Sequence, residues 1–162
     1  MRATLCAILL IFLGLPVPVF GATVSMPDAD LSAGETVEVP VMIDNAAGVA
    51  GFQFTLSYDP SALQAVGAVA GELTSGWMVK ANTATSGQLS VAGVDSSLKG
   101  LGSVKGSLAK MQFKAVSKKS DRSKVSFSVC KLSDSGGAKI AATCTAGQIR
   151  VTAAGKPKPD KH

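Results

Sequence analysis

Apolar and polar residues alternate along most of this chain, and the alternation is clearest after Gly48. Apolar side chains at every second position alternate there with small polar ones, namely Phe52, Phe54 and Leu56 with Gln53, Thr55 and Ser57. A period of two predicts a strand with one buried and one solvated face, because successive side chains of a strand point to opposite sides. Asp59-Pro60 ends this strand, since proline cannot donate to a continuing ladder.

The same period recurs in short segments between residues 23 and 152. We predict strands at 23–26, 36–43, 51–58, 63–70, 76–82, 88–94, 102–115, 124–132, 139–144 and 147–152. Clusters of Gly, Ser, Asn, Asp and Pro separate them, and no segment in this region keeps a 3.6-residue period over three turns. Short connections favour antiparallel pairing, because a parallel pair needs a crossover of a dozen or more residues. We therefore predict an all-β fold, an antiparallel two-sheet sandwich of about nine strands with jelly-roll topology.

The alternation also predicts which side chains share a face in segment 124–132. Val125, Phe127 and Val129 are expected on one face, and Ser126, Ser128 and Cys130 on the other. The first set is expected in the core and the second set in solvent.

The two ends of the chain differ from this pattern. Residues 1–22 combine Arg2, an apolar run and small residues before Ala22 or Thr23, which is typical of an export signal. The run is interrupted by prolines and is shorter than the roughly 20 residues of a membrane-spanning helix. Residues 153–162 contain lysine and proline without an apolar pattern, so we expect a disordered tail. We predict one domain, residues 23–152, in a protein that is secreted to the periplasm or the cell exterior.

The formal net charge is +5 at pH 7, and many of the basic residues lie in segment 118–124 and in the tail. Nucleic-acid binding needs basic residues that are interleaved with stacking aromatics or placed on a recognition helix. Neither arrangement is present, so we expect no nucleic-acid partner.

Two cysteines, Cys130 and Cys144, lie outside the leader. An exported protein is in a compartment where disulfides persist. Both cysteines are seven residues from Gly137, so a hairpin that turns there would bring them nearly opposite each other. We favour a cross-strand structural disulfide over two free thiols. No C-x-x-C motif indicates catalytic thiol exchange.

The sequence lacks the residue sets that catalysis requires. The single histidine, His162, ends the tail, where nothing holds it beside a nucleophile. No glycine-rich loop has nucleotide-binding spacing, and no Cys/His set has zinc spacing. Paired carboxylates can hydrolyse glycosides, but most aspartates here lie in turns, where they bond nearby backbone amides. We predict no enzymatic activity and no cofactor.

Asp28, Asp30, Asp44 and Asn45 are the candidates for a calcium site, because calcium prefers oxygen ligands. Their spacing matches no known calcium loop. We expect ordinary solvated turns and no metal in this chain.

Sugar binding usually requires exposed aromatic rings, and the chain has one tryptophan, Trp77, and one tyrosine, Tyr58. Apolar residues flank Trp77, so we expect its ring to be in the core or half-buried. Tyr58 precedes Asp59-Pro60, and we expect its ring to pack under that turn. Direct carbohydrate binding is the weaker hypothesis.

The segment ETVEVPVMIDNAAGVAGFQFTLSYDPSALQAV, residues 35–66, resembles the opening half of a cohesin domain. Cohesins are non-catalytic modules that bind dockerin modules of polysaccharide-degrading enzymes. Weaker similarity continues through GELTSG, GQLSV and GSLAKMQFK to the closing GQIRV. The order and spacing of these blocks fit one cohesin-like domain over roughly residues 23–152.

The resemblance implies a binding face, because cohesins bind the dockerin across one flat sheet face. The strands that match are 51–58, which ends in Tyr-Asp-Pro, and 88–95. The candidate partner-binding residues are those expected to point outwards on these two strands: Gln53, Thr55, Ser57, Ser90, Ala92, Val94 and Asp95. We expect Gln53 and Asp95 to supply polar contacts that set the register of the partner.

The resemblance also implies a dockerin-bearing partner that carries its own calcium, and we expect the chain itself to be a monomer. A single module cannot by itself assemble several enzymes. Three functions remain open: a dockerin receptor for polysaccharide breakdown or surface assembly, a carbohydrate-binding module, and an adhesive or structural surface protein.

Overall fold

A computed structural model describes residues 21–154, which form strands and connecting loops with no helix in that range. Thirteen strands occur in this part of the chain: β1 (Ala22–Met26), β2 (Ala29–Ser32), β3 (Thr36–Ile43), β4 (Gly51–Ser57), β5 (Leu63–Ala70), β6 (Met78–Asn82), β7 (Gln88–Val94), β8 (Gly106–Ala115), β9 (Asp121–Lys124), β10 (Ser126–Ser133), β11 (Lys139–Ile140), β12 (Ala142–Ala146) and β13 (Gln148–Thr152). The predicted all-β fold is confirmed.

The strands form two five-stranded sheets and one small sheet. The β8 sheet has the order β12-β1-β3-β8-β5, and the β4 sheet has the order β11-β10-β4-β7-β6. A three-stranded sheet, β2-β13-β9, closes one end. The two large sheets pack face to face as the predicted jelly-roll sandwich, so each has one inner and one outer face.

The core lies between the two large sheets and is built from the alternating positions of their strands. Phe54, Leu56 and Leu89 of the β4 sheet are fully buried, as are Met111 and Phe113 of the β8 sheet. Burial of each such side chain contributes about 1.5–3 kcal/mol relative to leaving it in water. A slip of one residue in β4 or β7 would place this apolar set in solvent, so the core holds the register of both strands.

The predicted antiparallel pairing holds for most of the molecule but is wrong at two edges. β1 pairs with β12 in parallel, and β2 pairs with β13 in parallel. In both pairs the first strand comes from the beginning of the domain and the second from its end. All of the intervening chain connects the two strands of each pair, which is far more than the dozen residues that a parallel crossover requires. The short connections between successive strands therefore do not prevent parallel pairing at these edges.

The predicted side-chain directions in 124–132 are wrong beyond Phe127, because β10 contains a bulge. Phe127 lies opposite Leu56, whereas Val129 lies opposite Thr55, so Ser128 is the extra residue. An extra residue reverses the alternation beyond it. Val129 therefore shares the outward direction of Thr55, and Cys130 pairs with the buried Phe54.

Cys130 and Cys144 are joined by a disulfide, but they do not lie across a hairpin as predicted. The hairpin turns between β10 and β11, where Leu132 pairs with Ile140. The chain then crosses to the other large sheet, where β12 pairs with β1. The disulfide thus links the β4 sheet to the β8 sheet at one edge of the sandwich.

The predicted export signal and tail lie almost entirely outside the described residues, so the domain bounds 23–152 stay a prediction. β1 already begins at Ala22, and β13 ends at Thr152. No helix within 21–154 is long and apolar enough to cross a membrane.

Candidate functional site

The outer face of the β4 sheet contains six of the seven predicted site residues. Gln53 lies opposite Ala92, and Thr55 lies opposite Ser90, in the antiparallel pair of β4 and β7. Ser57 and Val94 extend this surface at its two ends. Their inward neighbours Phe52, Phe54, Leu56, Leu89 and Val91 are all buried. The structure thus brings the six residues onto one surface, which we name the outer β4 face.

The centre of the outer β4 face is flat because its side chains are small or paired with each other. The hydroxyls of Thr55 and Ser90 share a hydrogen bond of 3.0 Å. Gly51 adds no side chain, and a Cβ atom there would lie 2.7 Å from Ser133 Oγ. Short side chains leave few rotamers to immobilise, so a partner backbone can approach this surface at a low entropic cost.

Asp95, the seventh predicted residue, does not lie on this face, and its predicted outward position is wrong. It follows the outward Val94, so the alternation of β7 turns it inwards, and only 8% of it is exposed. The backbone N–H and the hydroxyl of Ser97 donate to Asp95 Oδ1 at 2.9 and 2.6 Å. The backbone N–H of Gly100 donates to Oδ2 at 3.0 Å. Asp95 therefore organises the loop after β7.

The hydrogen bonds also affect the ionisation of Asp95. The Ser97 hydroxyl and then the Ser97 amide lower the pKa of the Asp95 carboxyl below its ordinary value of 3.8. Donors that bond the charged form favour ionisation. Asp95 is consequently an anion at neutral pH whose oxygens are already occupied by its own loop.

Two further strands contribute to the outer β4 face beyond the predicted residues. On one side, β10 places Val129 beside Thr55 and Lys131 beside Gln53. On the other side, β6 places Asn82 beside Ser90 and Lys80 beside Ala92. The alternation of β6 is visible in the sequence, but its pairing with β7 is not. For β10, the bulge shifts the alternation by one residue, so the sequence pattern does not reveal that Val129 and Lys131 point outwards.

A shallow groove crosses this face near the hairpin of β10 and β11. Its volume is about 480 Å³, and Gln53, Ala92 and Val94 line one side. Lys131, Ser133 and Lys139 line the other side. The groove therefore combines an apolar or neutral wall with a basic one.

Trp77 is packed as predicted, and Tyr58 packs against residues of β5 and β8. Trp77 is half-buried, and its ring stacks on Phe52 with 6.2 Å between the centroids. The Tyr58 ring packs edge-on against Phe113, and its hydroxyl accepts a hydrogen bond from the Ala65 amide. Neither ring offers an exposed platform for a sugar.

Three of the candidate calcium ligands, Asp28, Asp30 and Asp44, contact protein groups in the structure. Asp28 Oδ1 accepts a hydrogen bond from the backbone N–H of Gln148 at 2.9 Å, and Asp44 Oδ1 accepts one from the backbone N–H of Thr23 at 2.7 Å. Asp30 lies 3.7 Å from Arg150 in the small sheet. Within residues 21–154, no three His, Cys, Asp or Glu side chains are close enough to hold a metal ion together.

Comparison with known structures identifies the same architecture elsewhere. The sixth cohesin of scaffoldin B from Acetivibrio cellulolyticus, solved with a mutant Cel5 dockerin, is 24% identical; the match has a TM-score of 0.67 and covers 82% of this chain and 99% of that one. A non-cellulosomal cohesin from Archaeoglobus fulgidus is 22% identical, with a TM-score of 0.69 and coverage of 82% and 92%. The OlpC cohesin of Clostridium thermocellum, solved with the dockerin Doc435, is 20% identical, with a TM-score of 0.70 and coverage of 83% and 95%.

These identities establish a shared fold, and the family assignment comes from the sequence. A search of curated protein sequences found no match. The family model described as the cohesin domain matches residues 22–151, which is most of the chain and all of the sandwich from β1 to the fourth residue of β13. This chain belongs to the cohesin family.

Proposed function

We propose that this protein is a receptor for a dockerin-bearing partner and that it binds this partner through the outer β4 face. Cohesin domains are non-catalytic binding modules, and two of the similar structures described above are cohesins in complex with dockerins. The observation that carries the proposal is the position of Gln53, Thr55, Ser90 and Ala92 together on one flat, solvent-facing sheet surface.

The chemistry of this face supports helix docking. Its central side chains are short, so a helix can approach the strands closely and exclude water over a wide area. The hydroxyl and amide groups of Ser57, Thr55 and Gln53 can each donate and accept hydrogen bonds, which would fix the orientation of a partner.

The cellular setting belongs to the same proposal. The leader pattern of residues 1–22 supports an exported protein, and a dockerin partner supports a role in polysaccharide breakdown or surface assembly. Any calcium requirement of the complex would come from the partner. We propose a monomeric receptor, with the disulfide between Cys130 and Cys144 suited to an oxidising compartment.

Direct polysaccharide binding has less support. The six aromatic residues within 21–154 are all buried or half-buried. A sugar-binding platform would need a ring face open to solvent. An adhesive or structural role has no specific observation in its favour.

Calorimetric titration tests the proposal. The mature protein is titrated with each dockerin module encoded in its own genome, first with calcium and then with chelator. We expect calcium-dependent binding to at least one dockerin. A Gln53→Arg, Ala92→Arg double variant should weaken that binding at least about tenfold, because both arginines would stand in the centre of the face.

The control places the same kind of substitution on the opposite surface. Gln64 of β5 and Thr143 of β12 are exposed on the two edge strands of the β8 sheet. A Gln64→Arg, Thr143→Arg variant should bind like the unmodified protein. Equal losses in both variants would refute the assignment of the face, and the absence of any binding dockerin would refute the function.

A further inference from the structure

The charge on the outer β4 face is of one sign. None of the residues in β4, β6, β7, β10 or β11 is an aspartate or a glutamate, whereas these strands contain Lys80, Lys131 and Lys139. All three lysines are exposed. Within residues 21–154, the only salt bridge joins Arg150 to Asp30 in the small sheet. None of the three lysines therefore forms a salt bridge in the described part of the chain.

The lysines lie at the sides of the face and leave its centre uncharged. Lys131, Gln53, Ala92 and Lys80 form one row across four neighbouring strands. Lys139 lies beside Ser133, which pairs with Gly51 in the next outward row. Two lysines thus stand on the β10 and β11 side and one on the β6 side.

The separation of these two sides matches the width of a helix. Three inter-strand steps of about 4.8 Å separate the backbones of Lys131 and Lys80 by roughly 14 Å. An α-helix with its side chains is about 10–12 Å wide. A helix that lies along β4 and β7 would therefore contact Gln53 and Ala92 beneath it and have a lysine on each side.

One end of the face is apolar. Val94 and Met78 lie side by side on β7 and β6, and they are 50% and 63% exposed. Exposed apolar side chains next to a flat surface favour contact with apolar groups of a partner. The surface thus has an apolar end, a neutral centre and basic sides.

We propose that the docking helix recognised by this face is acidic on both flanks, with carboxylates that pair with Lys80 on one side and with Lys131 and Lys139 on the other. This inference rests on the proposed function and specifies the partner's chemistry. An acidic helix gains favourable charge pairs and steering, while a basic helix meets uncompensated repulsion, so the lysines select among dockerins.

An acidic polysaccharide is the alternative occupant, and the arrangement of the lysines disfavours it. A polyanion is bound best by a continuous track of cations that follows its backbone. Here the track is interrupted by the neutral pair Gln53 and Ala92, and the described part of the chain has no exposed ring for stacking.

The test compares a charge-reversed face with a matched control. The first variant is Lys80→Glu, Lys131→Glu, Lys139→Glu. The control, Lys114→Glu, Lys118→Glu, Lys119→Glu, has the same net charge but changes the end of β8 and the loop after it. Each protein is titrated with the purified dockerin modules encoded in the same genome and with polygalacturonate, at about 50 and about 500 mM NaCl.

We expect the dockerins that bind the unmodified protein to carry carboxylates on the flanks of the docking helix. Their affinity should fall about tenfold at high salt and about 100-fold or more in the face variant, but by less than about threefold in the control. Circular dichroism of both variants verifies that they are folded.

The outcomes separate the two proposals. Binding that is insensitive to salt and to the face variant overturns the acidic-helix inference and leaves the dockerin receptor intact. Binding to polygalacturonate with no dockerin bound, or no binding at all, overturns both.

Discussion

The contact between Gly93 and Phe52 connects the core to the outer β4 face. Gly93 lies between the outward Ala92 and Val94, and its own side-chain position points inwards. A Cβ atom at Gly93 would collide with the Phe52 ring, chiefly with Cε1 and Cζ. That ring is stacked between Phe54 and Trp77, at 5.0 and 6.2 Å between centroids, so it has little room to move.

Gly93→Ala should therefore destabilise the protein by about 1–3 kcal/mol, the usual cost of adding a carbon to a packed core. Phe52→Leu removes Cε1 and Cζ and should cost about 1–2 kcal/mol by itself, because it shrinks a buried side chain. In the Phe52→Leu background, Gly93→Ala should cost almost nothing, since the colliding atoms are gone and alanine restricts the unfolded chain. The expected coupling energy is therefore about 1–3 kcal/mol, the whole cost of Gly93→Ala in the unmodified protein.

Guanidinium unfolding of the four proteins in this double-mutant cycle, followed by circular dichroism, measures the coupling. Emission from Trp77, the only tryptophan, gives a second readout because its ring contacts Phe52. An equal cost of Gly93→Ala in both backgrounds would refute the argument, since the ring would then not be the obstacle.

Two other properties can be measured in the same way. Replacing Cys130 and Cys144 with alanine should lower the free energy of unfolding by about 3 kcal/mol, because the bridge closes a short loop with a sequence separation of 14. Unfolding titrations with and without reductant test this, and a reductant effect that persists in the double variant would contradict it. Stability should also fall as the pH drops below about 4. Hydrogen bonds lower the pKa values of three carboxyls in the folded protein: from the Thr23 amide to Asp44, from the Ser61 hydroxyl to Asp59 and from the Ser97 hydroxyl to Asp95. As the pH falls, the unfolded chain therefore takes up protons before the folded one does, which favours unfolding. Urea titrations between about pH 2 and pH 6 measure this dependence; Asp95→Asn should make it shallower, and an unchanged slope would contradict the assignment.

Much of the outer β4 face could be predicted from the sequence because β4 and β7 are regular strands. Each has an unbroken alternation of apolar and polar residues. Because Phe54 and Leu89 are buried on the inner face of the sheet, Gln53, Thr55 and Ser90 had to lie on its outer face. The prediction failed for Asp95 because it is the first residue after β7 and follows the outward Val94, so its side chain points inwards. The loop after β7 donates hydrogen bonds to its carboxylate.

Within each regular strand, the sequence by itself determined which residues are buried, because apolar residues at every second position form one apolar face that packs into the core. This pattern could not determine which strands are neighbours, since hydrogen bonds between distant segments follow from the packing of the whole sandwich. The parallel pairing of β1 with β12, the bulge at Ser128 and the disulfide between the sheets all depend on such long-range contacts. The same is true of the basic sides of the binding face: Lys80 and Lys131 are 51 positions apart in the sequence, and only the order of β10, β4, β7 and β6 places them on either side of one neutral surface.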